Sequence, residues 1–597
     1  DGTLDIGAQA WVTLSAGTIT LSGAGSIIGG NLKDTSVSVT NASGIATISS
    51  QITGTKAVQK SGAGELRLTG DVASKGALGG VDAFTITGGT VTVPAYTSFT
   101  GTFTANDGLS TFTGGAYLKK IVIGGSSPVL AGGAITTSGD FEFRHSTGIP
   151  EIRAVLAGPS KIVNSATAWA RLWLNSANTL TGDANGVIFE QNQVQTSTFF
   201  MVAQPSLSWT SDRIARNTAG DLMLGADNAL GASKLIITSG TIFSNADARV
   251  LQSDVDVEGY LALGSWASSS VPGVYWDKNL TISGKVDLRN AVRTVSTANI
   301  LTLSGAVTNG GITKTGASEL KLTNKDNSFI DGLTINTGKV TAVGNVSTPA
   351  GTQLGWGDVT IKNGTTLDLS GLIQMKGTLH VNHGGDAVLA ANAELAVGGD
   401  VHMWGDQSSL LNGSVKITGD LRFDGYESNI VSGGVVIQGG AKVTSSIVAR
   451  NVYKFTYGYG LGIGNDGDTN WGDADLFGSL TADKIIVVGD PAYWTVSAQY
   501  GQAGLALRGE SRVPLVSLEN EGTLFVGAGS LGAVAGNPSI IQVSDVDQYR
   551  KDRSGNALAS TARGSVSFDD AAGTPNFFGT FRIIGANSLL RLFSGSL

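Results

Sequence analysis

The sequence predicts an all-β chain: a right-handed parallel β-helix, a three-sided β-solenoid of about 20–22 residues per coil, with a C-terminal β-rich region. Three observations carry this expectation. Alternation of apolar and polar residues runs through all 597 positions, whereas helical periodicity is scarce. Each short alternating run is closed by Gly, of which there are 85, or by Asn or Ser-Gly. Between 356 and 444, three sets of runs recur in phase.

The runs themselves are plain: TITLSG, ELRLTG, TVTVPA, LIITSG, DVDVEG, DVTIKNG and VKITG. Successive side chains on a strand point to opposite faces, so each run offers one apolar face and one polar face. Gly, Asn and Ser tolerate the turn geometry that ends it. Such strands build sandwiches, barrels or solenoids, and register separates the three.

In the first set, Asp358–Ile361, Thr378–Val381, Asp400–Met403 and Asp420–Phe423 start at offsets of 20, 22 and 20, and Ala441–Val443 follows 20 after Leu421. The second set runs Leu369, Leu389, Leu411, Val431. The third runs Ile373/Met375, Leu395/Val397, Val415/Ile417, Val435/Ile437. A solenoid stacks equivalent apolar residues of successive coils, which keeps three ladders synchronised; a sandwich has no reason to do so. The inward column is then Val359, Leu379, Val401, Leu421, Ala441, joined by Ile361, Val381, Met403, Phe423 and Val443. Thr360, His380, His402, Arg422 and Lys442 face outward.

Composition narrows the function. Charged residues are 14% of the chain, the formal net charge is −8, and no basic run appears. Phosphate binding needs concentrated positive charge, so nucleic acid is not an expected partner. With no Cys there is neither a disulfide nor thiol chemistry. No run approaches about 18 uninterrupted apolar residues, so no transmembrane helix is expected. The start at Asp1 without Met points to a removed leader and hence to export.

One segment is written twice: KSGAGELRLTG at 60–70 and KTGASELKLTN at 314–324. With their continuations FTITGGTVTV to Val93 and KDNSFIDGLTINTGKV to Val340, and with LWLNSANTLTG at 172–182, these units resemble the autotransporter-associated β-strand repeat, or passenger-associated transport repeat. LGASKLIITSGTI at 230–242 and LGWGDVTIKNGTTL at 354–367 echo the usual continuation of that repeat. The matches cover about a third of the chain. The resemblance implies a parallel β-helix exported by a Gram-negative-type bacterium and held outside the cell or on its surface after signal-peptide removal, commonly as the passenger of a surface protein. The C-terminal translocator barrel of such proteins has no counterpart in the closing FRIIGANSLLRLFSGSL.

The expected organisation is a β-helix over 1–450 with longer loops around 141–220, an aromatic and acidic loop or insertion at 451–477, and a capping or assembly segment at 478–597. Within the loop, Asp466, Asp468, Asn470, Asp473 and Asp475 offer oxygen ligands at alternate positions, which suits Ca²⁺. Trp471 and Phe477 occupy the places where an EF-hand loop needs Gly and Glu, and a hydrated acidic loop fits the same residues. No other cofactor is expected. GIGNDG at 462–467 matches the dinucleotide fingerprint in letters only, without a βαβ unit around it. His380, His383, Asp386 and His402 combine metal-ligand types, although outward polar ladders are ordinary in solenoids. Asp254, Asp256 and Glu258 share one face of a strand and read as solvating groups.

Three functions follow in order. The first is a non-enzymatic building block that self-assembles, head to tail or laterally, into a fibre, sheath or surface layer. The second is an adhesin binding surfaces or cell-surface polysaccharide, with Tyr457, Tyr459 and Trp471 as contacts, aided by Trp169 and Trp173. The third is a β-helix polysaccharide lyase or glycosidase, for which no facing carboxylate pair is legible.

Overall fold

A computed structural model provides the structure. It describes residues 2–7, 11–14, 17–53, 57–69, 81–125, 127–139, 141–144, 150–157, 221–230, 234–247, 249–267, 275–347, 349–382, 386–390, 393–404, 409–412, 414–419 and 421–424, and outside these ranges little besides strands. Among the described residues there is no helix, so none is long and apolar enough to cross a membrane. Strands pair in parallel with strands one winding away, as a β-solenoid requires. Among the described residues, the strands Trp266–Ala267 and Tyr275–Trp276 pair antiparallel, as do Asn345 and Leu372 in an isolated bridge. The chain forms two compact units, Asp1–Asp287 with Ala298–Leu301, and Leu288–Thr297 with Thr302–Leu597.

In the first unit one ladder begins with Thr18–Leu21, Ser36–Val39, Ala57–Lys60, Ala83–Ile86 and Thr97–Ala105. It continues through Ala116–Ile123, Phe141–Phe143, Lys161–Asn164, Val187–Gln191 and Ile214–Asn217 to Lys234–Ile237 and Val255–Val257. Its interior is partly aromatic. Phe84 and Phe103 are register partners in adjacent windings, with ring centroids 5.7 Å apart at 79°. Phe112 meets Phe103 at 5.5 Å and 73°. All three rings are fully buried. Edge-to-face contacts of this kind add about 0.5–1.5 kcal/mol to the stabilisation from burial alone.

In the second unit the three synchronised ladders exist. Val359, Leu379, Val401 and Leu421 pair in sequence and are wholly buried. Ile361, Val381 and Met403 are equally buried, while Thr360, His380 and His402 are half-buried on the other side of the strands. Ile373, Leu395 and Val415 pair as expected in the third ladder.

Two parts of the predicted register are corrected. Leu411 pairs with Ala387 and Ile437, not with Leu389 and Val431. The offset at this strand is 24 residues, from Ala387 to Leu411, although the winding as a whole still repeats after 20 residues at Val401 and Leu421. The slip is two residues, so the strand keeps its apolar face inward, whereas a one-residue slip would reverse it. Beyond Leu421 the winding itself lengthens: Leu421 pairs with Ile447, 26 residues on, and Val415 with Ala441. Ala441–Val443 therefore belongs to the third ladder, and Val435 with Ile437 to the second. A constant offset carried one winding too far moved each segment to the neighbouring face.

The ladders continue past this point. Ser446–Arg450 pairs with Lys484–Val488, then Leu515–Glu519, Ser539–Val543 and Gly579–Ile583 follow in one ladder. Gly504–Leu507, Gly522–Val526, Arg563–Phe568 and Leu589–Ser594 follow in another.

Candidate functional site

Most residues expected to carry a site fall outside the described residues: Asp466, Asp468, Asn470, Asp473, the aromatics Tyr457, Tyr459 and Trp471, and also Trp169, His383 and the GIGNDG stretch. Asp475 lies in the strand Ala474–Leu476, where its backbone pairs with Val436 and Ala506. Trp173 lies in the strand Ala170–Leu174.

His380 and His402 are register partners on adjacent windings, their ring centroids 5.8 Å apart at 62°. Nε2 of His380 lies 4.0 Å from Oδ2 of Asp358. Burial pulls the pKa of His380 down, the His402 charge adds to this, and Asp358 and Asp400 oppose it. Asp386 sits in the second ladder, paired with Thr366 and Leu410, away from the histidine pair. Among the described residues, no group of three or more His, Cys, Asp or Glu is placed to hold a metal ion.

The reading of Asp256 as a solvating group is corrected, whereas Asp254 is exposed and Glu258 half-buried. Asp256 is 2% exposed and pairs with Lys234 at 2.6 Å. The residues between inward positions are buried in this stretch as well, including Ile236, the register partner of Asp256, and Met223. The outer side of these strands is thus covered, and a carboxylate there needs a cation. Asp254 accepts from the Lys285 amide at 2.8 Å, and Glu258 from the Thr238 hydroxyl at 3.2 Å. Carboxylates play the same stapling part elsewhere: Asp358 accepts from the Thr378 amide at 2.8 Å, and Asp227 from the Val250 amide at 3.2 Å. Asp221 accepts from the Thr241 amide at 3.2 Å, and burial raises its pKa to about 6.

The most developed polar site in the interior lies at the first residue of the duplicated segment. Lys60 ends the strand Ala57–Lys60 at an inward position, in register with Val39 and Ile86. Lys314 takes the corresponding place in Val307–Thr315, in register with Ile335. Both side chains are fully buried. Each ammonium spends its three protons on three backbone carbonyls. Lys60 donates to Ser61 O and Gly62 O at 2.7 Å each and to Gly88 O at 3.3 Å. Lys314 donates to Thr315 O at 2.9 Å, Gly316 O at 2.7 Å and Thr337 O at 3.1 Å. In each case two acceptors belong to the lysine's own turn and the third to the next winding.

The glycines of the repeat make this corner. Gly62 and Gly316 have φ of +76° and +82°, and Gly89 and Gly338 in the following winding have +74° and +75°. A Cβ on Gly89 would collide with the carbonyls of Gly62 and Gly64 and lie 2.7 Å from Lys60 Nζ. One on Gly338 would crowd the carbonyls of Gly316 and Ser318. The close approach of two turns therefore requires Gly both for its backbone freedom and for its lack of a side chain. Burial lowers the pKa of both lysines, that of Lys314 to about 8. Chemically each corner is a cation site filled by the chain's own ammonium. Sequence reasoning used this Lys only as a letter in the repeat; its signal was a charged residue at an inward position of an alternating strand, present in both copies.

No protein-family model, curated protein or solved structure matches the chain.

Proposed function

We propose that this chain is an exported structural protein, a β-solenoid building block that adds to copies of itself to form an extracellular fibre, sheath or surface layer. The observation that carries the reading is the parallel ladder itself, in which every winding offers the next a full row of backbone donors and acceptors. Phe581 and Ile583 continue the buried columns of Ile541 and Val543, yet they are 38% and 56% exposed. Leu592 stands over buried Val566 and is 53% exposed. In the first unit Leu4, register partner of buried Ile27, is 40% exposed. A strand so placed takes a further strand on its open side, whether from a continuation of the chain or from a second copy. Parallel ladders have unlike edges, so the edge led by Thr3–Asp5 fits the edge led by Gly579–Ile583 of a second copy, and such a heterologous contact propagates rather than closes. Export is supported by the likeness of 60–93 and 314–340 to passenger repeats and by the absence of cysteine from the sequence.

Electron microscopy with sedimentation over a concentration series tests the proposal. Wild-type protein should form linear particles that lengthen with concentration, and Phe581→Asp combined with Ile583→Asp should keep it monomeric with an unchanged β-sheet spectrum. Wild-type protein that stays monomeric throughout the series would overturn it.

A further inference from the structure

We propose that Lys60 and Lys314 are ionisable pins, whose protonation decides whether the turn carrying each lysine is tied to the next winding. The geometry gives the reason. A protonated amine has three N–H donors and each pin has three carbonyl acceptors, so the charged form satisfies the corner completely. A neutral amine keeps two donors, and one carbonyl must go without. In both pins the longest bond is the one that crosses between windings, Gly88 O at 3.3 Å for Lys60 and Thr337 O at 3.1 Å for Lys314. The two short bonds lie within the lysine's own turn and close small rings, so the crossing bond is the one released. Loss of the proton leaves each turn intact and uncouples it from its neighbour.

The surroundings leave this decision to the pin itself. Beside Lys60 the charged groups are Glu65 and Arg67, at outward positions and paired with each other at 3.2 Å. Beside Lys314 they are Glu319 and Lys321, outward and paired at 3.6 Å, and Lys339, paired with Asp368. Arg293 of Val286–Thr297 gives its Nε to Leu288 O. Among the described residues no carboxylate enters either carbonyl cage, and burial favours the neutral amine, bringing the pKa of Lys314 down to about 8 from an ordinary 10.5. The Lys314 pin therefore changes state at mildly alkaline pH.

The global and local consequences have opposite signs. Between about pH 8 and 10.5 the unfolded chain keeps a proton that the folded chain has shed, so the contribution of Lys314 to overall stability rises with pH. Over the same interval the segment around Thr337 loosens. General alkaline unfolding moves both quantities downward together.

The test is a titration of lysine-labelled protein by the ¹³Cε resonances, assigned with Lys60→Arg and Lys314→Arg, alongside hydrogen exchange corrected for intrinsic rates. The expected result is a Lys314 midpoint near pH 8. Protection of the amides at 336–339 should fall about threefold or more across that midpoint, and that at 87–90 across the midpoint of Lys60. In Lys314→Arg, which stays charged, protection at 336–339 should be flat with pH. A Lys314 midpoint near 10.5, or protection at 336–339 that does not change through the measured midpoint, would overturn the proposal. Hydrogen exchange of the wild-type chain needs no variant, so if Lys314→Arg fails to fold, protection at 336–339 that stays flat across about pH 8 still overturns the proposal.

Discussion

The imidazoles of His380 and His402 meet edge to face on neighbouring windings, 5.8 Å between centroids, with Asp358 on the winding before and Asp400 at the foot of the winding that carries His402. Two groups of like charge at this spacing resist being protonated together. Burial above all, and the His402 charge after it, hold the folded-state pKa of His380 below its ordinary 6.5. A histidine depressed in this way contributes stability that is present above pH 6.5 and is lost as pH falls through that value towards the folded pKa. His380→Gln should flatten the acid side of the thermal-stability profile below pH 6.5 while leaving pH 8 little changed. Parallel acid slopes in the two proteins would remove His380 from the account.

The lysine corners make a prediction about glycine that needs no titration. Gly89→Ala places a side chain against two carbonyls and the Lys60 ammonium at a positive φ, and should cost upwards of about 3 kcal/mol. Gly364 also has a positive φ, +68°, but a Cβ there meets nothing within 4 Å. Its alanine variant should cost only about 1–2 kcal/mol, the backbone term alone. Denaturant unfolding of both variants separates close approach from conformation, and equal losses would show that crowding at Gly89 is unimportant.

Asp256 and Lys234 should behave as a coupled pair. Asp256→Ala leaves Lys234, 35% exposed at its side chain, to find water, so the loss should be about 1–3 kcal/mol rather than the larger figure for a fully buried pair. A double-mutant cycle with Lys234→Met measures the coupling. Strict additivity would mean that the 2.6 Å contact is not what holds the carboxylate.

Phe103 stands between Phe84 and Phe112 in the interior of the first unit. Phe103→Ala removes both edge contacts and opens a cavity in a narrow core, an expected loss of about 3–5 kcal/mol on chemical unfolding. Phe103→Leu should recover more than half of it. If alanine costs under about 1 kcal/mol, the interior must repack freely and the ring column is not a fixed feature.

Much of the architecture was legible because inward positions repeat at a nearly constant interval wherever the corners are short. Val359, Leu379, Val401 and Leu421 could be aligned by counting alone, and so could Ile373, Leu395 and Val415. Counting failed at Leu411 and after Leu421, since corner length is set by turn residues that carry no periodic signal. Asp256 was misjudged for a different reason. Alternation reveals which side of a strand faces the interior, but not whether something else covers the outer side. The lysine corners stayed hidden because an inward lysine contradicts simple patterning, and only the backbone shows that carbonyls await it.

The lengthened winding between Leu421 and Ile447 separates two properties that most folds couple. Six residues more than the winding before it are absorbed, and Arg422 still faces Val448 and Val415 still faces Ala441. Corners thus act as slack in a chain whose faces admit almost none. A foreign peptide grafted between Asp424 and Val435, where the extra residues fall, should leave the neighbouring rungs paired.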